Sequence, residues 1–105
     1  ELECFQIYIN QLSNDPWFLN QFAWRMAELN QNLDLALEKI DIALSIIEKN
    51  EKGIANIIDT KAEILWKMRK TSEAIEIINE AILYDPTNTY YHEQKNKFIQ
   101  SLSNL

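Results

Sequence analysis

The stretch that most constrains the fold runs from residue 58 to residue 86, because it has the pattern of two amphipathic helices with a very short connection. In the first half, apolar residues recur at helical spacing as far as Met68. In the second half they form a stripe along one helix face, made of Ala74, Ile77, Ile78, Ala81 and Ile82. Asp85 and Pro86 end the second helix, because the residue before a proline avoids the helical conformation. Only Arg69 and Lys70 separate the halves, so we expect two antiparallel helices.

Three alanines in this stretch stand where the two predicted helices would touch each other. Ala62 is in the first helix, and Ala74 and Ala81 are in the second. Small side chains let two helix axes approach, whereas larger ones would push them apart or strain the core. Alanine is also a good helix former in any context. Together with the closing Asp85 and Pro86, however, the three alanines indicate a tightly packed hairpin.

The same stretch resembles a tetratricopeptide repeat. The signature of that family has a small residue in the first helix, then an alanine, a bulky apolar residue four positions later, another alanine and a closing proline. These places are filled by Ala62, Ala74, Ile78, Ala81 and Pro86. Two residues depart from the pattern: Lys61 stands where the family usually has leucine, and Arg69 where a turn glycine is common. The resemblance implies a stack of helical hairpins.

Residues 16–50 form an earlier copy of this unit. Its predicted helices cover about 16–29 and 33–49, with Asp15 as N-cap and Pro16 at the first helical position. Ala23 takes the place of Ala62, 39 positions earlier. The family period is about 34 residues, so the surplus falls in the linker 50–53. There we expect Gly53, the only glycine, to end the preceding helix in the left-handed conformation.

The two ends of the chain fit the same scheme. Residues 3–16 align without gaps on residues 73–86, so we expect residues 1–14 to be the second helix of a truncated repeat, with a natural N-terminus further upstream. Residues 87–105 predict a single capping helix after the repeat at 54–86. Its packed face would carry Tyr91, Phe98, Leu102 and Leu105, and its polar face Glu93, Gln94, Lys97 and Gln100. The predicted fold is therefore all-α, one domain over residues 1–105, with antiparallel hairpins stacked as a short TPR-like α-solenoid of about six helices.

Charge and hydropathy exclude several classes of partner. The net charge is −6, which disfavours nucleic acid and anionic lipid because binding phosphates needs a basic patch. No run of about 20 apolar residues occurs, so we expect no membrane span, and no signal-peptide pattern is present. The sequence predicts a soluble chain and leaves the compartment open.

The sequence also lacks the residues that most reactions need. Phosphate-binding loops need several glycines, and this chain has one. Zinc sites need several Cys or His at set spacings, whereas Cys4 and His92 are the only residues of their kinds. We interpret Cys4 as a small core residue and His92 as a surface residue. We therefore expect no catalytic residues, no cofactor and no metal.

The resemblance implies a binding groove instead. In this family the first helix of each hairpin lines a groove that takes an extended peptide or a partner helix. Carried over to this chain, the groove would be lined by Trp17, Asn20, Gln21, Trp24, Glu28, Asn56, Asp59, Thr60, Glu63, Trp66 and Lys67. Tryptophan is a common interface anchor. The alternative is that these tryptophans fill gaps between hairpins, and for Trp66 we favour that alternative, with the last helix as its cover.

These observations predict a non-catalytic scaffold that binds a peptide or helix of another protein. Some repeats of this family grip a carboxylate tail, but Asp59 and Glu63 would repel one, so a basic or mixed helical ligand suits this lining better. One alternative is a C-terminal accessory or docking domain of a larger enzyme, such as a thioredoxin-like protein. Another is a homodimerisation module that pairs through the N-terminal helix.

Overall fold

The structure, a computed structural model, describes residues 15–48 and 53–103, and these ranges contain five α-helices. No strand occurs in them. We number the helices in chain order as α1 (Pro16–Leu29), α2 (Leu33–Ile46), α3 (Ile54–Lys67), α4 (Thr71–Tyr84) and α5 (Thr89–Ser103). The helix predicted within residues 1–14 lies outside the described residues.

The helices form two hairpins and a final helix, each packed against its neighbours. The tightest pairs are α1 with α2 and α3 with α4. The hairpins stack because α3 packs on both α1 and α2, and α5 then packs on α4. This arrangement confirms the predicted all-α stack of antiparallel hairpins.

The alanines at the predicted hairpin contacts are completely buried. Ala62, Ala74 and Ala81 have no exposed surface, as expected for positions where two helices touch. The earlier hairpin has the same property at Ala23, Ala36 and Ala43. Larger residues surround these contacts, with Phe22, Ile40, Ile57, Ile64 and Ile78 fully buried in the same core.

The predicted helix ends are largely confirmed. The Asp15 carboxylate accepts hydrogen bonds from the backbone N–H groups of Trp17, at 3.0 Å, and Phe18, at 3.3 Å. Pro16 occupies the first helical position of α1. At the other end, α4 stops at Tyr84, directly before Asp85 and Pro86.

The prediction for Gly53 is wrong. The helix α2 ends at Ile46, and Ile47 has an extended backbone. Gly53 instead precedes α3 with φ −84°, which is not the left-handed conformation. A Cβ at this position would overlap the ring of Trp17, so the glycine leaves room for that ring. The residue is small because of a tertiary contact that no local pattern in the sequence could reveal.

The turns inside the two hairpins each contain a residue in the left-handed backbone conformation. Asn30 follows α1 with φ 53°, and Arg69 follows α3 with φ 67°. Asparagine tolerates the left-handed region better than most residues, but an arginine there costs about 1–2 kcal/mol. The departure from the family's turn glycine at Arg69 is therefore a source of strain.

We expect Arg69→Gly to raise the free energy of unfolding by about 0.5–1 kcal/mol, because glycine adopts φ 67° without strain. Part of the relieved strain is offset, because glycine gives the unfolded chain more conformational freedom. Urea unfolding followed by circular dichroism measures the change. Lys70→Gly is the matched control, because Lys70 has φ −97° and gains nothing from glycine. Equal effects at the two positions would contradict the strain at Arg69.

Candidate functional site

A cavity of about 470 Å³ lies between α1 and α3, with one residue of α5 at its edge. Its walls combine amide, charged and aromatic side chains, several of them exposed. The lining residues are Asn20, Gln21, Trp24, Arg25, Glu28, Asn56, Asp59, Thr60 and Tyr90. The set includes residues four positions apart, Asn20, Trp24 and Glu28 on α1 and Asn56 and Thr60 on α3, and such residues share one helix face. We call this space the α1–α3 cavity.

Most of the predicted groove residues are brought together here, but not all of them. The predicted residues that line the cavity are Asn20, Gln21, Trp24, Glu28, Asn56, Asp59 and Thr60. Trp66 and Lys67 instead line a separate cavity of about 300 Å³ beside Ser101. Trp17 lies against Gly53, outside the α1–α3 cavity.

Asn20 carries an unusual polar group in the cavity wall. Its side-chain nitrogen donates a hydrogen bond of 3.0 Å to Oδ1 of Asn56, which joins α1 to α3. Its side-chain oxygen is buried and has no hydrogen-bond partner among the described residues. Buried polar atoms without partners are rare and cost about 1–3 kcal/mol, so this oxygen is an unsatisfied acceptor at the cavity wall.

Asp59 is the buried charge of the cavity wall. Asp59 is 4% exposed, and its Oδ1 accepts a hydrogen bond of 3.1 Å from Nε2 of Gln94. The pKa of Asp59 is raised from 3.8 to about 6, mainly by burial and also by the nearby Glu63 charge, while Gln94 and Lys97 oppose the rise. At neutral pH the carboxylate is therefore mostly ionised but poorly solvated.

The structure corrects the predicted surroundings of Glu63. It is 7% exposed and lies beneath α5, not along an open groove. Its Oε1 accepts hydrogen bonds from Nε2 of Gln94, at 3.1 Å, and from Nζ of Lys97, at 2.8 Å. Asp59, Glu63, Gln94 and Lys97 form a polar cluster between α3 and α5, which we call the α3–α5 cluster.

The prediction that Gln94 belongs to the polar outer face of α5 is also wrong. Gln94 is three positions after Tyr91 and four before Phe98, so all three share one helix face, and all three are buried. An amide can occupy that face because its two N–H donors meet the carboxylates of Asp59 and Glu63. Leu102, predicted on the packed face, is 40% exposed, and Leu105 lies outside the described residues.

Trp66 fills the interface between α3 and α5, in agreement with the alternative favoured above. Its indole nitrogen donates a 3.0 Å hydrogen bond to Oγ of Ser101, and its ring centroid lies 5.6 Å from that of Phe98. The ammonium of Lys97 lies 4.4 Å from the ring centroid of Trp66. Trp24, by contrast, is half-buried and faces the α1–α3 cavity.

Sequence reasoning missed two lining residues, Arg25 and Tyr90. Tyr90 is 41% exposed, and burial raises the pKa of its phenol to about 12, with Asp59 and Glu63 adding to the rise. The residue stands 34 positions after Asn56, which is the family period. Extending the repeat by one more unit would have placed Tyr90 at the groove. Arg25 lies within 3.9 Å of Glu28 on the same helix, and no sequence signal set it apart.

Two searches of the described residues gave no site of another kind. Residues 15–48 and 53–103 contain no group of three or more His, Cys, Asp or Glu side chains placed to hold a metal ion. Within the same ranges, no helix has the length and apolar character needed to cross a membrane.

Comparison with known proteins gave no match. No family model, no curated protein and no solved structure is significantly similar to this chain.

We expect Asp59→Asn to raise the free energy of unfolding by about 2–3 kcal/mol at pH 7, because it removes a buried charge and keeps an acceptor for Gln94. Between pH 4 and 6 the folded chain holds a proton at Asp59 that the unfolded chain has lost. The wild type therefore gains stability as the pH falls through this range, and the advantage of the variant should vanish near pH 4. Urea unfolding at several pH values measures both effects.

The control for this experiment is Asp34→Asn, an exposed carboxylate in the first turn of α2. Loss of this negative charge should lower the free energy of unfolding by about 0.3–1 kcal/mol, since a negative charge near a helix N-terminus is favourable. A pH-independent effect of Asp59→Asn would contradict the raised pKa.

We expect Lys97→Met to lower the free energy of unfolding by about 1–3 kcal/mol, because it leaves the buried Glu63 carboxylate without its cation. Adding Glu63→Gln should restore much of the loss, since the side chain that lost its cation is then uncharged as well. Thermal unfolding of the single and double variants tests this, with Lys95→Met as the control on the same helix. If the double variant is no more stable than Lys97→Met alone, the ion pair does not explain the loss.

Proposed function

We propose that this chain is a non-catalytic protein-interaction module, similar to tetratricopeptide repeats, that binds a peptide or helix of a partner in the α1–α3 cavity. The observation that carries this proposal is the buried side-chain oxygen of Asn20, which has no hydrogen-bond partner among residues 15–48 and 53–103. It lies in a cavity wall that also presents Trp24 and Tyr90. Aromatic anchors beside a few unsatisfied polar groups are typical of interaction sites.

The size and composition of the cavity support a ligand that inserts side chains. Its volume of about 470 Å³ is in the range of ligand pockets, which is about 300–1,000 Å³. Several lining residues, including Gln21, Arg25 and Asn56, are exposed, so a ligand can reach them. Their polar groups suit the rim of a protein interface.

The repeat pattern gives independent support. Both hairpins place fully buried alanines at corresponding positions, 38 or 39 residues apart. The step from α3 to α5 matches the family period of about 34 residues, as Asn56 and Tyr90 illustrate. This regularity favours the family assignment, although Lys61 departs from it. Its ammonium pairs with Asp41 of α2 at 2.9 Å, which gives the position a function between the hairpins.

The position of α5 confines the proposed binding to one half of the groove. The α3–α5 cluster and Trp66 are covered by α5, so a ligand cannot reach Glu63 while this helix is docked. The α1–α3 cavity has no such cover among the described residues. We therefore assign binding to α1, the first part of α3 and Tyr90.

A selection from a random peptide library displayed on phage tests this proposal. We expect the chain to enrich specific peptides, and Trp24→Leu to weaken their binding about tenfold or more, because it removes an aromatic anchor from the cavity wall. The fluorescence anisotropy of a labelled selected peptide gives the dissociation constant.

The matched control is Trp17→Leu, the same change on the same helix but outside the cavity. This variant should change the dissociation constant less than about twofold. Failure to enrich any peptide, or equal losses for the two variants, would contradict the proposed function.

A further inference from the structure

We infer that the side chain recognised in the α1–α3 cavity is basic, a lysine or arginine of the partner protein. Its N–H donors would meet the side-chain oxygens of Asn20 and Asp59, and its charge would lie against the rings of Trp24 and Tyr90. This inference rests on the proposed function and specifies the chemistry of its ligand.

The first argument is an excess of hydrogen-bond acceptors in the cavity wall. The side-chain oxygen of Asn20 accepts no hydrogen bond from the part of the chain that the structure describes. A carboxylate can accept about four hydrogen bonds, and Gln94 supplies one to Asp59. The ammonium group of lysine and the guanidinium of arginine are donors only, so they satisfy such acceptors without adding new ones.

The second argument is charge. Asp59 and Glu28 are the acidic residues of the lining and Arg25 is the basic one, at 3.9 Å from Glu28. Because the opposite charges of Arg25 and Glu28 offset each other, the charge that remains among these lining residues is that of the Asp59 carboxylate. The chain as a whole has a net charge of −6, which attracts cationic partners during encounter.

The third argument is that the chain already binds a lysine in this way. In the α3–α5 cluster, Lys97 donates to the carboxylate of Glu63 at 2.8 Å, and the same ammonium lies 4.4 Å from the ring centroid of Trp66. A cation over an indole ring within about 6 Å is attractive. The α1–α3 cavity is lined by the same two kinds of group, the Asp59 carboxylate and the Trp24 indole.

The environment of Asp59 supports this arrangement. Burial of its carboxylate raises the pKa to about 6, so the charge is unfavourable in the unliganded chain. A bound cation would stabilise the ionised form of Asp59. Titratable groups with strongly perturbed pKa values are common at functional sites. The other groups that face Asp59 are Glu63 on α3 and Gln94, Lys97 and Tyr90 on α5.

The phage selection described above also tests the basic ligand. We expect the enriched peptides to share a lysine or arginine, and replacement of that residue by norleucine to weaken binding about tenfold or more. In Asp59→Asn the same replacement should matter less than about threefold, because the charge that selects the cation is gone. Binding of the basic peptide to the wild type should also weaken when the pH falls from 7 to 5, as Asp59 takes up a proton.

Two further variants keep the test decisive. Asp34→Asn removes an exposed carboxylate outside the cavity and should keep the full preference for lysine over norleucine. Trp24→Leu should reduce that preference, because leucine preserves apolar volume but has no aromatic face. Circular dichroism confirms that each variant is folded before its binding is compared.

The outcomes separate this inference from the proposed function. Enriched peptides with acidic or purely apolar anchors would overturn the basic ligand and leave the interaction module in place. An undiminished preference for lysine in Asp59→Asn would likewise overturn the inference. Failure to enrich any peptide would overturn both.

Discussion

The close contact of helices at buried alanines is the constraint on which the rest of the fold depends. Ala62 of α3 and Ala74 and Ala81 of α4 have no exposed surface, so the helix axes can approach closely over the length of the hairpin. This contact fixes which side of α3 faces its partner and therefore which side remains for the neighbouring helices. Because Ala23 acts in the same way in α1, the two hairpins present equivalent faces, and the α1–α3 cavity lies where those faces meet.

The α3–α5 cluster shows how a polar interior can hold a helix in place. Gln94 and Lys97 satisfy the carboxylates of Asp59 and Glu63 with hydrogen bonds that require one position of α5. Buried charged groups contribute less to stability than apolar packing would, since their desolvation offsets the attraction. What they contribute here is position: Tyr90, near the start of α5, is brought to the edge of the cavity.

Much of the fold and part of the site could be predicted because they depend on local patterns. Helical periodicity and the stop at Asp85 and Pro86 predicted the helices. The resemblance to tetratricopeptide repeats predicted that Asn20, Trp24 and Asn56 share one groove, and these three residues line one cavity. Glu63 was misplaced for a physical reason. A glutamate is normally exposed, and only the lysine and glutamine of a helix 31 to 34 residues away make its burial favourable.

The sequence by itself determined that this chain is a stack of helical hairpins, because periodicity, small residues at helix contacts and helix stops act within a few turns of one helix. It also set the acidic character of the chain. Only the tertiary structure decided which half of the groove is covered and which carries a cavity. That outcome depends on where α5 docks, and the docking is fixed by side-chain contacts such as Trp66 with Phe98 and Gln94 with Asp59. The close approach of Trp17 to Gly53 has the same origin, since it joins residues that local sequence does not relate.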